Sequence, residues 1–239
     1  MNFFKGNQNA DQIQQLSDYI DSSSSIVATT GAGISVAGGG KTYGQLRISR
    51  RGSGGSDDNS FLYSWVDSMF HYHPSYSHYA LRDLEEEGKL LGIITTNVDC
   101  MHTIAGSKNV AEIQGSLQVN CCSGCGRFYE GYEIWNQEEL PTCKVCGKSI
   151  LPWPIYSHVG LWDDDVRKAQ KWISEADLIL VIGTHGYYGG VYWDYRRKDA
   201  AIVQINPGRT GFDRVADLNI RENCDDVFKK LKERREKNG

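Results

Sequence analysis

Ile26-Val27-Ala28-Thr29-Thr30-Gly31-Ala32-Gly33-Ile34-Ser35 is the stretch on which the reading of this chain turns. Five apolar and β-branched residues suit a short buried strand. The strand runs straight into a glycine pair, which is how a phosphate-binding unit begins: with no Cβ in the way, backbone N–H groups can approach a pyrophosphate. Two features weaken the motif taken alone. Val36 stands where the usual G-x-G-x-x-G has its third glycine, and no ribose-binding acid follows about 20 residues on. The same residues would also serve as a tight strand–helix turn.

Outward from this turn, the chain alternates. Residues 10–21 carry Ile13, Leu16, Tyr19 and Ile20 at helical spacing. Phe61–Phe70 and Ser75–Glu87 also read as helices, separated by Pro74. A second buried strand, Leu90–Thr96, ends at Asn97-Val98-Asp99; a third, Leu178–Ile182, ends at Gly183-Thr184; a fourth, Ile202–Ile205, ends at Asn206-Pro207. Helices are expected over Asp164–Glu175 and Asp225–Lys237. The pattern predicts an α/β fold with a Rossmann-like, doubly wound parallel sheet. Its glycine and polar clusters all fall at the carboxyl ends of strands, where such sheets bind ligands. The stretch 37–60, rich in Gly, Ser and Arg, reads as a long loop of the kind that forms lids.

Into this pattern are set Cys122-x-x-Cys125 and Cys143-x-x-Cys146, a spacing that suits four thiolates on one tetrahedral Zn²⁺. Four ligands leave no open position, so the zinc would be structural. Cys121 adjoins Cys122, but the C-x-x-C register favours Cys122. The expected organisation is a single domain over 1–239. Its Rossmann-like part comprises 1–36, 81–117 and 159–239, with a loop and helical insert at 37–80 and a small zinc-ribbon module at 118–158.

Composition is that of a globular chain: 239 residues, 40% hydrophobic and 23% charged, with a net charge of −4. That balance gives no sign of general nucleic-acid binding. Lack of an apolar run of about 18 residues argues against a membrane span, and the N-terminus has no signal-peptide core. Seven cysteines, four of them in metal-type pairs, point to a reducing, cytoplasmic setting. Cys100, Cys121 and Cys224 read as small buried hydrophobes. His71, His73 and His78 flank Pro74 in an aromatic-rich patch that reads as a packed helix edge rather than a metal site.

Thr95-Thr96-Asn97-Val98-Asp99, followed by His102, Ala105 and Gly106, is by itself only an Asx-type turn and a helix start. Taken in order with Gly31-Ala32-Gly33-Ile34-Ser35, Gln114-Gly115-Ser116, the cysteine quartet, Gly183-Thr184 and Ile205-Asn206, it resembles the sirtuin family of NAD-consuming enzymes. The resemblance implies cofactors NAD and zinc and a protein substrate. Gly31, Ala32, Gly33 and Ser35 would hold the NAD phosphates with help from Gly183 and Thr184. Thr96 would join the cofactor site, Asn206 would sit near the adenosine ribose, and Cys224 near the adenine. Asn97 and Asp99 would line the nicotinamide pocket, and His102 would support local structure.

Two departures bear on the reaction. Deacylases of the family carry His-Gly where this chain has Gln114-Gly115, and that histidine acts as general base on a ribose hydroxyl. A glutamine amide hydrogen-bonds but does not take a proton near pH 7. The Pro-Asp-Phe-Arg signature is also absent, and Tyr43 would replace its phenylalanine beside the nicotinamide ribose. Thr42-Tyr43 with Gln114 is similar to the macrodomain-linked class M branch, whose members are protein ADP-ribosyltransferases. The first expectation is therefore ADP-ribosyl transfer to a protein acceptor, with Asn97, Gln114 and Asp99 as the catalytic set. The alternative is an NAD-dependent protein-lysine deacylase with a displaced base, for which Glu112, His158 and His185 are candidates. NAD hydrolysis and an inactive NAD or ADP-ribose sensor complete the field.

Overall fold

The computed structural model describes residues 4–41, 71–135, 141–154, 161–186 and 189–238. The expected helix at Phe61–Phe70, most of the expected lid, Tyr43 and His158 lie outside these residues. The described elements run α1 (Phe4–Ser22), β1 (Ile26–Thr30), α2 (Tyr76–Glu86), β2 (Leu90–Thr95), α3 (Met101–Ile104), β3 (Val110–Glu112), β4 (Gly115–Cys122), β5 (Phe128–Glu130), β6 (Ile150–Pro154), α4 (Asp163–Glu175), β7 (Leu178–Ile182), α5 (Gly189–Tyr192), β8 (Ala201–Ile205), β9 (Leu218–Ile220) and α6 (Cys224–Asn238).

Six strands form one sheet in the order β3-β2-β1-β7-β8-β9, and every pairing in it is parallel. The order reverses between β1 and β7, so the crevice at a doubly wound sheet's switch point opens above Thr30 and Ile182. Both strands are buried along their whole length, as expected where helices cover both faces of a parallel sheet. Alternate side chains feed two cores. Ile26, Ala28, Leu178, Leu180 and Ile182 pack with Leu16 and Ile20 of α1, Leu81 and Leu84 of α2, and Val227 and Phe228 of α6. Val27, Ile179 and Val181 face the other way, onto Ala169 and Ile173 of α4. Each fully buried leucine or isoleucine here contributes about 1.5–3 kcal/mol.

Strands β5, β4 and β6 make a separate antiparallel sheet. Its small core joins Cys122, Cys143 and Ile150, with Tyr129 and Ile134 packed against it. Edge strands β3 and β9 have three residues each, too short for a period to show in sequence. Among the described residues no helix is long and apolar enough to cross a membrane.

Candidate functional site

After Thr30 the chain leaves the sheet and turns through a 3₁₀ segment, Ala32–Gly38. Gly31 N–H donates to Ile182 O at 3.2 Å and Gly33 N–H to Gly183 O at 2.9 Å, tying the β1 turn to the end of β7. A Cβ on Gly31 would stand 2.8 Å from Thr184 Cβ, and one on Gly33 would stand 2.7 Å from Gly183 Cα and O. Gly183 itself has φ +59°, left-handed backbone that favours glycine. The glycines thus serve first to let two strand ends touch.

Below this turn lies a buried polar knot. Ser35 Oγ donates to Asp99 Oδ2 at 2.8 Å. Asn97 Nδ2 reaches Ser35 Oγ at 3.2 Å and Gly31 O at 3.3 Å. Asn97 N–H donates to Thr95 Oγ1, and Met101 N–H to Asp99 Oδ1. Ser35, Asn97 and Asp99 are all under 9% exposed. The sequence-expected phosphate turn and nicotinamide loop are therefore one hydrogen-bonded unit. Burial pushes the Asp99 carboxyl above its usual range, opposed by the Met101 N–H and the Ser35 hydroxyl. Thr96 is half-buried, with its N–H and hydroxyl directed at Thr30 O.

Gln114 stands in the turn between β3 and β4, before Gly115 at φ +72°. It is half-buried, and its side-chain amide makes no hydrogen bond to the described residues. Two residues earlier, Glu112 closes β3 in register with Thr95. Burial pushes its carboxyl up to about 8, while Ser116 and Cys100 beside it act the other way and the charges of Asp99 and Asp165 add to the rise. Cys100 is held at φ +62°, an uncommon conformation for a residue with a Cβ.

On the far side of the switch point, Gly183 N–H donates to Ile205 O. Thr184 Oγ1 accepts from Gly186 N–H, and Asn206 Nδ2 donates to Thr184 O at 3.3 Å. Ala32 is half-buried. Cys224, buried at the start of α6, lies beside the Ser77 hydroxyl. The structure thus brings Gly31, Ala32, Gly33, Ser35, Thr96, Asn97, Asp99, Gly183, Thr184 and Asn206 around one switch point. His185 is exposed. His78 is fully buried, whereas His71 and His73 are exposed, so the three do not gather. The sequence reading gave His78 and Ser75 no part near this turn. A Ser-x-x-His capping box, in which Ser75 N–H donates to His78 Nδ1, was the available signal.

The sulfurs of Cys122, Cys125, Cys143 and Cys146 lie within 4.8 Å of one another. Cys122 and Cys146 Sγ are 3.3 Å apart, and Cys125 and Cys143 Sγ 3.6 Å. Tetrahedral Zn–S bonds of about 2.3 Å put sulfurs about 3.8 Å apart, so the quartet fits one zinc ion. Gly124 and Cys125 N–H groups point at Cys122 Sγ, as the outer shell of a thiolate site does.

Residues 55–187 match the model of the Sir2 family. The chain is 33% identical to NAD-dependent protein deacetylase 1 of Pyrobaculum aerophilum, across 94% of this chain and 95% of that protein. It is 31% identical to an NAD-dependent protein deacetylase of Clostridium acetobutylicum, across 91% and 97%. In three dimensions it is similar to a Sir2 homolog–NAD complex, with a TM-score of 0.79 and 28% identity over 95% of each chain. A Sir2 protein complexed with the inhibitor EX-527, 2′-O-acetyl-ADP-ribose and a deacetylated p53 peptide gives a TM-score of 0.77 at 26% identity, over 93% of this chain and 99% of that one. With over half its length matched by the family model and its sheet, switch point and cysteine quartet in place, this chain belongs to the Sir2 family.

Proposed function

We propose that this Sir2-family enzyme is an NAD-dependent protein-lysine deacylase that consumes NAD and releases nicotinamide. The carrying observation is the likeness to relatives named deacetylases over nine-tenths of the chain, together with the intact knot of Ser35, Asn97 and Asp99. The pyrophosphate fits the 31–35 turn and Thr184, the adenosine half fits the side of Asn206 and Cys224, and nicotinamide fits the loop of Asn97 and Asp99. Loss of nicotinamide needs fixed dipoles and position more than a base. The later step, in which a ribose hydroxyl gives up its proton, does need one, and Gln114 cannot serve. Glu112 is the described candidate: it sits two residues before Gln114, beside Ser116 and near Asp99, and is ionised above about pH 8.

One observation favours protein ADP-ribosyl transfer of the class M kind, the reading placed first from sequence. Gln114, whose amide no described residue engages, is by the resemblance of its motif the counterpart of the histidine of the family's deacylases. A carboxylate acceptor is already nucleophilic and asks no base of the enzyme. Purified protein with adenine-labelled NAD, an acetylated peptide and lysate from the same cells separates the two. O-acetyl-ADP-ribose from the peptide supports deacylation. Label on a lysate protein with the peptide untouched replaces it with transfer, and an absence of nicotinamide release rejects both.

A further inference from the structure

The zinc module holds a side chain to which neither the cysteine spacing nor the family motifs give a part. Strand β5 is an edge of the three-stranded sheet, and Tyr129 sits at its centre, in register with Asn120 of β4. Side chains alternate across a strand. Phe128 and Glu130 are exposed, whereas Tyr129 is half-buried. Its side chain packs against the small core of Cys122, Cys143 and Ile150. Its hydroxyl donates to Cys143 Sγ at 3.1 Å.

Charge explains why a donor is useful there. Four thiolates outweigh the charge of one Zn²⁺. Cys125 and Cys146 are exposed and share that surplus with water, but Cys122 and Cys143 are each 2% exposed. A buried charge without hydrogen-bond donors is costly. Cys122 Sγ receives the Gly124 and Cys125 N–H groups at 3.3 and 3.5 Å, the donors that a C-x-x-C turn supplies from its own backbone. In the second turn the Val145 and Cys146 N–H groups serve Cys143 in the same way. Tyr129 adds a donor from outside that turn, 14 residues away in the chain. A zinc-bound sulfur carries no proton, so the hydroxyl donates and the sulfur accepts.

We propose that Tyr129 is a positioning residue of the zinc site. Its hydroxyl stabilises and orients the Cys143 thiolate, so that zinc is held more tightly and released more slowly than by the four cysteines alone. The bond also ties the quartet to edge strand β5, while Cys122 ties it to the end of β4. Strand β4 begins at Gly115, and its Leu117 N–H donates to Val98 O at 3.1 Å, inside the Asn97–Asp99 loop. Tyr129 thereby joins retention of zinc to the strand that reaches the candidate site. This role depends on zinc in the quartet, not on which reaction the pocket runs.

The test compares the full chain with its Tyr129→Phe variant, which keeps the ring and loses only the hydroxyl. In competition with a chromogenic chelator, the variant should bind zinc about tenfold to a hundredfold more weakly, as is usual when a metal ligand loses its hydrogen-bond partner, and release it faster. A second readout uses Co²⁺ in place of zinc. A hydrogen bond lowers the energy of the sulfur lone pairs, so its loss should move the thiolate-to-cobalt charge-transfer band to longer wavelength. 3-Fluorotyrosine at position 129 alone is a stronger donor below the pH at which its phenol ionises. It should move the band the other way and slow zinc release, an order that altered packing does not produce. Should Tyr129→Phe fail to fold, the fluorotyrosine chain against wild type still decides. Equal zinc affinity in wild type and Tyr129→Phe overturns the role, as does a band that neither change moves, or a wild-type chain that binds no zinc.

Discussion

His78 makes stability depend on pH in a direction that can be worked out. Its folded value, about 4, lies below the ordinary 6.5 because burial disfavours the charged ring. Between those values the unfolded chain binds more protons, so stability rises with pH and is lost as pH falls from about 6.5 toward 4. A shift of that size makes urea unfolding at pH 5 less favourable to the fold than at pH 7 by about 2 kcal/mol. A His78→Phe chain should lose His78's share of this acid sensitivity, while His102, which burial also holds well below its usual range, keeps its own. Glu112 bears on rate instead. If it is the base, deacylation should climb with pH through about 8, and Glu112→Gln should cut it by about 10²–10⁴-fold while nicotinamide release changes little. A flat pH profile with an active Glu112→Gln enzyme would assign the proton to another group. Asn97→Ala removes the amide that joins Ser35 and Gly31 O. Nicotinamide release should fall by about a hundredfold or more, as read from single-turnover rates. Most of these residues were legible as a motif in order along the chain. Their mutual hydrogen bonds were not, because no spacing rule connects Ser35 to Asp99.

At the scale of elements, the β1 turn and the end of β7 form one joint. Gly33→Ala would push a Cβ to 2.7 Å from Gly183 backbone atoms, which cannot rotate away as a side chain could. The expected cost is about 1–3 kcal/mol of stability with a loss of NAD turnover, measured by denaturant unfolding and by nicotinamide release. The opposite substitution type, at exposed Gly208 with no atom within 4 Å of a Cβ, should leave both unchanged. Strands β1, β2, β7 and β8 stood out in sequence because each is a short, nearly continuous apolar run flanked by polar residues. Strands β3, β5 and β9 did not: with three residues apiece, they are strands through their neighbours' hydrogen bonds rather than through any pattern of their own.

Over the whole molecule, the two sheets differ in what holds them. The six-stranded sheet sits between two large apolar cores, whereas the described core around the cysteine quartet is small, made of Cys122, Cys143 and Ile150 with Tyr129 and Ile134 packed against it. Chelation, or Cys122→Ser, should therefore melt β4–β6 while most of the parallel sheet persists, seen as a separate low-temperature transition that zinc restores. By itself the sequence determined the α/β class, the cysteine quartet and the family, since those rest on local periodicity and on short motifs in fixed order. Tertiary structure decided the rest. It set Gly31 and Gly33 against the β7 end, tied Ser35 to both Asn97 and Asp99, and buried His78 against His102. Each of these is a contact between segments far apart in the chain, created only when the sheet brings their strand ends to one edge.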